Sequence, residues 1–191
     1  SAVLRRHRLR HDRIQLQQRT PKNIFTEYYS RGGWHADSPS GIGSTLGQTH
    51  VLRTELPHIL SKYQIRTVLD IPCGDFQWMN LVQLELDSYV GADIVEELIR
   101  HNREQFGDTG TYPRSFRQLD LITDPLPQAD MVMCRDCLIH FSHNAAMRAL
   151  ANIKASGCRL LFSTTYTDRR WNDSIATGQF YPINLQAPPF R

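Results

Sequence analysis

The stretch TVLDIPCGDF at residues 67–76 decides how the rest of this chain is read. Thr67 to Ile71 is a short apolar run with β-branched members, the length of a buried strand and too brief for a helix. It leads into Pro72-Cys73-Gly74-Asp75-Phe76, a turn in which Gly74 lets the backbone approach a ligand where a side chain would clash. Ahead of it, Leu52, Leu56, Ile59, Leu60 and Tyr63 fall on one helical face. Pro57 either kinks that helix or starts its best-formed part. Beyond it, a short helical stretch is expected from Trp78 to Leu84, then a second strand over Tyr89–Ile94. A helix over 95–106 turns Val95, Leu98, Ile99 and Phe106 inward and stops at Gly107. Ser115–Asp120, Met131–Cys134 and Arg159–Thr165 read as strands three to five. Between the last two, Ala146, Ala149, Leu150 and Ile153 mark a helix ending at Gly157.

Continuous apolar strands separated by helical periods predict an α/β fold with a doubly wound, mostly parallel sheet. In such a sheet the ligand crevice lies outside the carboxyl ends of the strands. Polar residues follow every strand here: Asp70 with the 72–75 turn, then Asp93, Asp120, Arg135-Asp136, and Thr164-Thr165-Tyr166. A dinucleotide site calls for three glycines around a pyrophosphate, and this turn offers one, flanked by Asp70 and Asp75, which repel phosphate. Asp93, 19 residues past Gly74, stands where a carboxylate accepts hydrogen bonds from ribose hydroxyls. The ligand is expected to carry a ribose and a nearby cation, without phosphates.

The formal net charge is +3, unevenly spread. Residues 1–22 hold six Arg, one Lys and one Asp, a net of +6, which leaves −3 for the remaining 169. A basic arm over an acidic body does not give the footprint of a nucleic-acid-binding domain. No apolar run reaches the ~18 to 20 residues of a membrane span. The four Cys (73, 134, 137 and 158) are too few and too unevenly spaced for a disulfide framework, so a cytoplasmic protein with reduced thiols is expected. Cys134 and Cys137 make a C-x-x-C pair with no further paired ligands for a structural metal, and read as half-buried core thiols. The organisation expected is a basic arm (1–22), a helical or lid segment (23–63), an α/β core (64–166) and a substrate-side or truncated segment (167–191).

VLDIPCGDF resembles the first motif of the class I S-adenosylmethionine-dependent methyltransferases. GADI resembles their acidic ribose motif, FRQLDL their adenine motif, CRDCLIHFS their post-strand-four segment and LLFSTT their strand five. The resemblance covers Arg66 to Tyr166, and PCGDF-x-W with SGIGS at 40–44 is similar to an uncharacterised branch of the family. It implies a Rossmann-like fold and S-adenosylmethionine as cofactor. Asp70, Cys73 and Gly74 would cradle the methionine part, with Asp75 beside its ammonium and Arg135 nearby. Asp93 would hold the ribose, Ile94 would pack on the adenine, Asp120 would accept from the adenine amino group and Leu121 would lie against the ring. Two family glycines are replaced, by Pro72 and Phe76, and no pattern for the usual terminal strand hairpin follows strand five. Either the sheet stops at five strands or the chain stops before them.

Asp136 and His140 follow strand four, on the acceptor-facing rim in this family, and are the candidate bases. Histidine suits that role near neutral pH. The alternative is an Arg135–Asp136 structural pair with a packing His140. Trp34, His35 and Ser40–Ser44 form a lid or a packing arm, with Gly41 and Gly43 as hinge and Arg53 able to reach a cofactor carboxylate. No Asn/Asp-Pro-Pro-Tyr/Phe tetrapeptide follows strand four, which argues against nucleic-acid amino groups and for a small-molecule or glycan-like acceptor. A non-catalytic nucleoside-binding module and a nicotinamide-dependent oxidoreductase remain the competing readings.

Overall fold

A computed structural model describes residues 14–32, 38–107 and 110–191. Five strands form its sheet: β1 (Thr67–Asp70), β2 (Ser88–Asp93), β3 (Arg114–Gln118), β4 (Met131–Cys134) and β5 (Leu160–Ser163). Their spatial order is β3-β2-β1-β4-β5, and every neighbouring pair is parallel. The chain therefore winds outward from β1 to β3, then returns to β4 on the other side of β1. The β1/β4 boundary is the switch point at which such sheets open a crevice.

Side chains alternate across this sheet as strand geometry requires. Val68, Met131 and Met133 face one layer with Leu56, Phe76, Tyr89 and Ile99, whereas Leu69, Ile71, Val132 and Cys134 face the other with Ala146, Ala149 and Ile153. The longer helices among the described residues are α1 (Pro21–Ser30), α2 (His50–Lys62), α3 (Glu96–Phe106) and α4 (His143–Ala155). α1 starts where Thr20 accepts a hydrogen bond from the Asn23 amide, and Pro21 needs no amide partner in the first turn. Ser142 caps α4 in the same way through the Ala145 amide.

Several local expectations change. α2 runs through Pro57 without starting there. The stretch from Trp78 to Leu84 forms only one 3-10 turn, Met79–Leu81. Trp78, Met79, Val82, Leu84 and Leu86 are all buried, a spacing no single helical face satisfies. β2, β3 and β5 end earlier than the apolar pattern suggested, which leaves Ile94, Asp120 and Thr164 in the loops above the sheet. Residues 167–191 form no strand. They are pinned beside β5 by the Tyr166 amide donating to the Ile183 carbonyl (2.8 Å) and by a lock around Asn184. Its side-chain amide donates to the Arg169 carbonyl (2.6 Å) and its Oδ1 accepts from the Gln186 amide (2.8 Å). Residues 1–13 of the basic arm, and Trp34 and His35 of the expected lid, lie outside the described residues. Among the described residues, no helix is long and apolar enough to cross a membrane.

Candidate active site

A cavity of about 700 Å³ opens over the carboxyl ends of the strands. Its first end is built on β1 and β2. Asp70 is buried, and its Oδ2 accepts a 2.5 Å hydrogen bond from the Tyr89 hydroxyl. Burial pushes this carboxyl up to about 7, against the pull of Tyr89 and of the Arg135 charge. Asp93 is also buried, with Oδ1 accepting from the Val95 amide (3.0 Å) and Oδ2 from the Gly74 amide (3.3 Å). Burial pushes it up to about 6, against these backbone donors.

Two carboxyls with neutral hydrogen-bond partners, held up by desolvation at one end of a cavity, suit a ligand that brings positive charge and hydroxyl donors. The residues present thus fit the ribose and ammonium of S-adenosylmethionine. Cys73, Gly74, Ile94 and Leu121 line the same end, as does Asp120, whose Oδ1 accepts from the Ile122 amide (2.8 Å).

The turn after β1 takes a left-handed conformation at both Gly74 and Phe76. At Phe76, with φ +58°, that conformation costs a non-glycine residue about 1–3 kcal/mol. Its ring is fully buried against Tyr89, Phe106 and Phe116, and that packing offsets the strain. Asn102 of α3, buried as well, donates to the Gly74 carbonyl (2.7 Å) and fixes the turn from behind. No motif pointed to Asn102, since its role arises only when the helix folds back on the turn.

The second end hangs on β4 and β5. Arg135, Asp136 and His140 all line it. Arg135 pairs with Asp136 Oδ2 at 2.9 Å, while Asp136 Oδ1 accepts from the Thr164 hydroxyl at 2.9 Å. Both carboxylate oxygens of Asp136 are thereby engaged. His140 Nδ1 lies 3.1 Å from the Gln179 carbonyl, a contact that requires Nδ1 to donate. The neutral ring then carries its lone pair on Nε2. Burial lowers the His140 pKa, outweighing the Gln179 contact and the Asp136 charge, so the ring is neutral at pH 7. Cys137 also lines the cavity, and its contact with Cys134, together with burial, pushes its thiol up.

Residues 38–44 fasten a strap over the middle. Ser40 Oγ accepts from the Asp75 amide (2.7 Å), and Ser38 Oγ donates to Asp75 Oδ2 (2.7 Å). Asp75 consequently serves the strap: its carboxylate is turned to Ser38 and it lies outside the cavity wall, away from the place expected for a ligand ammonium. Arg135 donates to the Gly43 carbonyl. A Cβ on Gly43 would press on Asp136 Oδ2, so a larger residue there requires the Asp136 carboxylate to shift. Arg53 does not reach the cavity and donates instead to the Leu46 carbonyl (3.0 Å).

The sequence reading missed Phe25, Tyr29 and Phe180, which also line the cavity. They come from α1 and from the 176–184 region, neither of which carries a recognisable motif. The only sequence cue was that region's placement on the substrate side.

Residues 68–156 match a family model described as a methyltransferase domain. No curated protein matches the chain in sequence. Among solved structures, the chain is similar to the DhpI–SAH complex (16% identity, 93% of this chain and 83% of that one, TM-score 0.58). It is also similar to a SAM-dependent methyltransferase of the DUF858 family from Leishmania major (12%, 78% and 63%, TM-score 0.58). A third is the N-methyltransferase NodS from Bradyrhizobium japonicum WM9 with S-adenosyl-L-homocysteine (13%, 69% and 67%, TM-score 0.54). These likenesses establish the fold, and the family match gives the segment its name. Residues 68–156 are thus similar to a methyltransferase domain, and the sheet shares the fold of solved S-adenosylhomocysteine-bound methyltransferases.

Proposed function

We propose that this chain is an S-adenosylmethionine-dependent methyltransferase that uses the β1–β3 end of the cavity for the cofactor and the β4–β5 end for a small-molecule or glycan-like acceptor. The observation that carries the reading is the charge division along one cavity: buried Asp70 and Asp93 at one end, a neutral His140 at the other. The cofactor supplies a methyl group on a sulfonium, already a good leaving group. The protein's work is therefore to position, to exclude water and to accept a proton.

Asp93 accepts from the ribose hydroxyls, and the fixed Val95 and Gly74 amides hold its carboxylate in register for them. Asp70 faces the ammonium, with Tyr89 fixing its orientation from beneath. Cys73 and Gly74 contribute backbone to the methionine part, Ile94 and Leu121 flank the adenine, and Asp120 accepts from its amino group. Arg135 closes the middle through the Gly43 carbonyl. His140 receives the acceptor's proton on Nε2. Asp136, with both oxygens engaged, orients Arg135 and adds negative charge near His140.

Calorimetry tests the first half: S-adenosylhomocysteine binds, NAD does not, and Asp93→Ala loses at least tenfold in affinity. Binding of NAD, or no effect at position 93, overturns it. For the second half, His140→Ala is expected to lower turnover by about 10²–10⁴ with any acceptor found by S-adenosylhomocysteine release. Its affinity for S-adenosylhomocysteine stays within twofold of the parent. Retained turnover removes His140 as the base.

A further inference from the structure

The acceptor end of the cavity has a composition that says what it binds. Its wall is aromatic, with Phe25 from α1, Phe141 after β4, Tyr166 after β5 and Phe180 from the C-terminal segment. The Phe25 and Phe141 rings pack on each other at 6.1 Å, and the Phe180 ring tilts over His140 at 5.9 Å. Phe180 keeps 58% of its surface exposed at the mouth, an apolar face held open beside the candidate base. This placement is built in. The Gly178 amide donates to the His140 carbonyl (2.8 Å) and the Tyr181 amide to the Ile139 carbonyl (2.9 Å), while Tyr28 donates to the Gly178 carbonyl (3.0 Å). Residues 178–181 are thus laced to the same 3-10 turn, Leu138–His140, that carries the histidine.

Charge at this end is cancelled. Arg135 and Asp136 pair with each other at 2.9 Å, and their other hydrogen bonds go to Gly43 and Thr164. An ionised acceptor would lose its hydration here and meet a cation and an anion already committed to each other. A flat, uncharged ring instead covers the open Phe180 face at no such cost.

Resting on the methyltransferase reading above, we infer that the acceptor is a hydroxyl borne by an uncharged ring, a phenol or the C–H face of a sugar, seated against Phe180 with its oxygen toward His140. In the transfer, the hydroxyl oxygen forms a bond to the methyl carbon as the carbon–sulfur bond breaks and its electron pair returns to sulfur. The hydroxyl proton passes to Nε2 of His140.

Saturation-transfer NMR on the full chain loaded with S-adenosylhomocysteine tests this with probes matched except for charge: phenol against benzoate, and methyl glucoside against glucuronate. At least one neutral probe is expected to receive saturation severalfold above its anionic partner, and the aromatic and sugar arms tell the two sources apart. Phe180→Ala, a change at an exposed side chain, should reduce that signal at least threefold with S-adenosylhomocysteine affinity unchanged. The inference is overturned when both anionic probes match or exceed their neutral partners, when no neutral probe binds, or when Phe180→Ala changes nothing. A chain that fails to bind S-adenosylhomocysteine at the outset refutes the methyltransferase reading instead, so the two failures are distinct.

Discussion

Lowering the pH from 8 to 6 is expected to weaken S-adenosylhomocysteine binding about 20-fold. Burial raises Asp70 to about 7 and Asp93 to about 6, so acid neutralises the two carboxyls proposed to receive the ligand's ammonium and ribose. Between those pH values the ionised fraction of Asp70 falls about tenfold and that of Asp93 about twofold, and the product sets the change in apparent affinity. The sign is fixed by the direction of both shifts. Raised carboxyls hold protons into the neutral range, and a protonated acid attracts neither an ammonium nor a hydroxyl donor as its anion does. Calorimetry in buffers of different ionisation enthalpy reads both the affinity and the protons released on binding. Asp70→Asn should bind more weakly at pH 8 and lose most of the pH dependence, leaving about the twofold change due to Asp93. Affinity that is flat from pH 6 to 8 in the parent, or an equally steep dependence in Asp70→Asn, refutes the reasoning.

Two substitutions probe the walls of the cavity. Gly43→Ala presses a methyl on Asp136 Oδ2 and should lift the strap; the Asp75 amide, now bonded to Ser40 Oγ, then exchanges hydrogen at least tenfold faster by mass spectrometry. Unchanged exchange at Asp75 would mean that the Asp136 carboxylate shifts instead. Asn184→Ala strands the Arg169 carbonyl and the Gln186 amide, and should cost about 1–3 kcal/mol, read as a lower denaturation midpoint at unchanged slope.

The parallel sheet was legible because its central strands are buried on both faces and so appear as short apolar runs, with Met131–Cys134 the clearest, whereas the edge strand β3, RSFRQ, buries only Phe116. That Asp70, Gly74 and Asp93 line one end of a cavity was legible for a related reason: each is tied to the end of a strand, so their spacing in sequence carries their spacing in space. The segment from Trp78 to Leu84 misled because its apolar residues are spaced to fill a layer rather than to line one helical face. Asp75 misled for a different reason. Its partner Ser38 lies 37 residues away, and nothing in the local pattern signals that such a hydrogen bond forms. Phe25 and Phe180 share that invisibility, since α1 is laced to the C-terminal segment through Tyr28 and Gly178, and that segment to the turn after β4.

The reversal of strand order between β1 and β4 has an evolutionary corollary. In the proposed reading donor recognition is anchored on strands to one side of that seam, and the aromatic wall on the other side is supplied largely by loops and flanking chain. Substitutions at Tyr166 or Phe180 leave the strand-anchored half of the cavity untouched. A lineage built this way can drift from one substrate to another while its grip on a shared methyl donor stays constant.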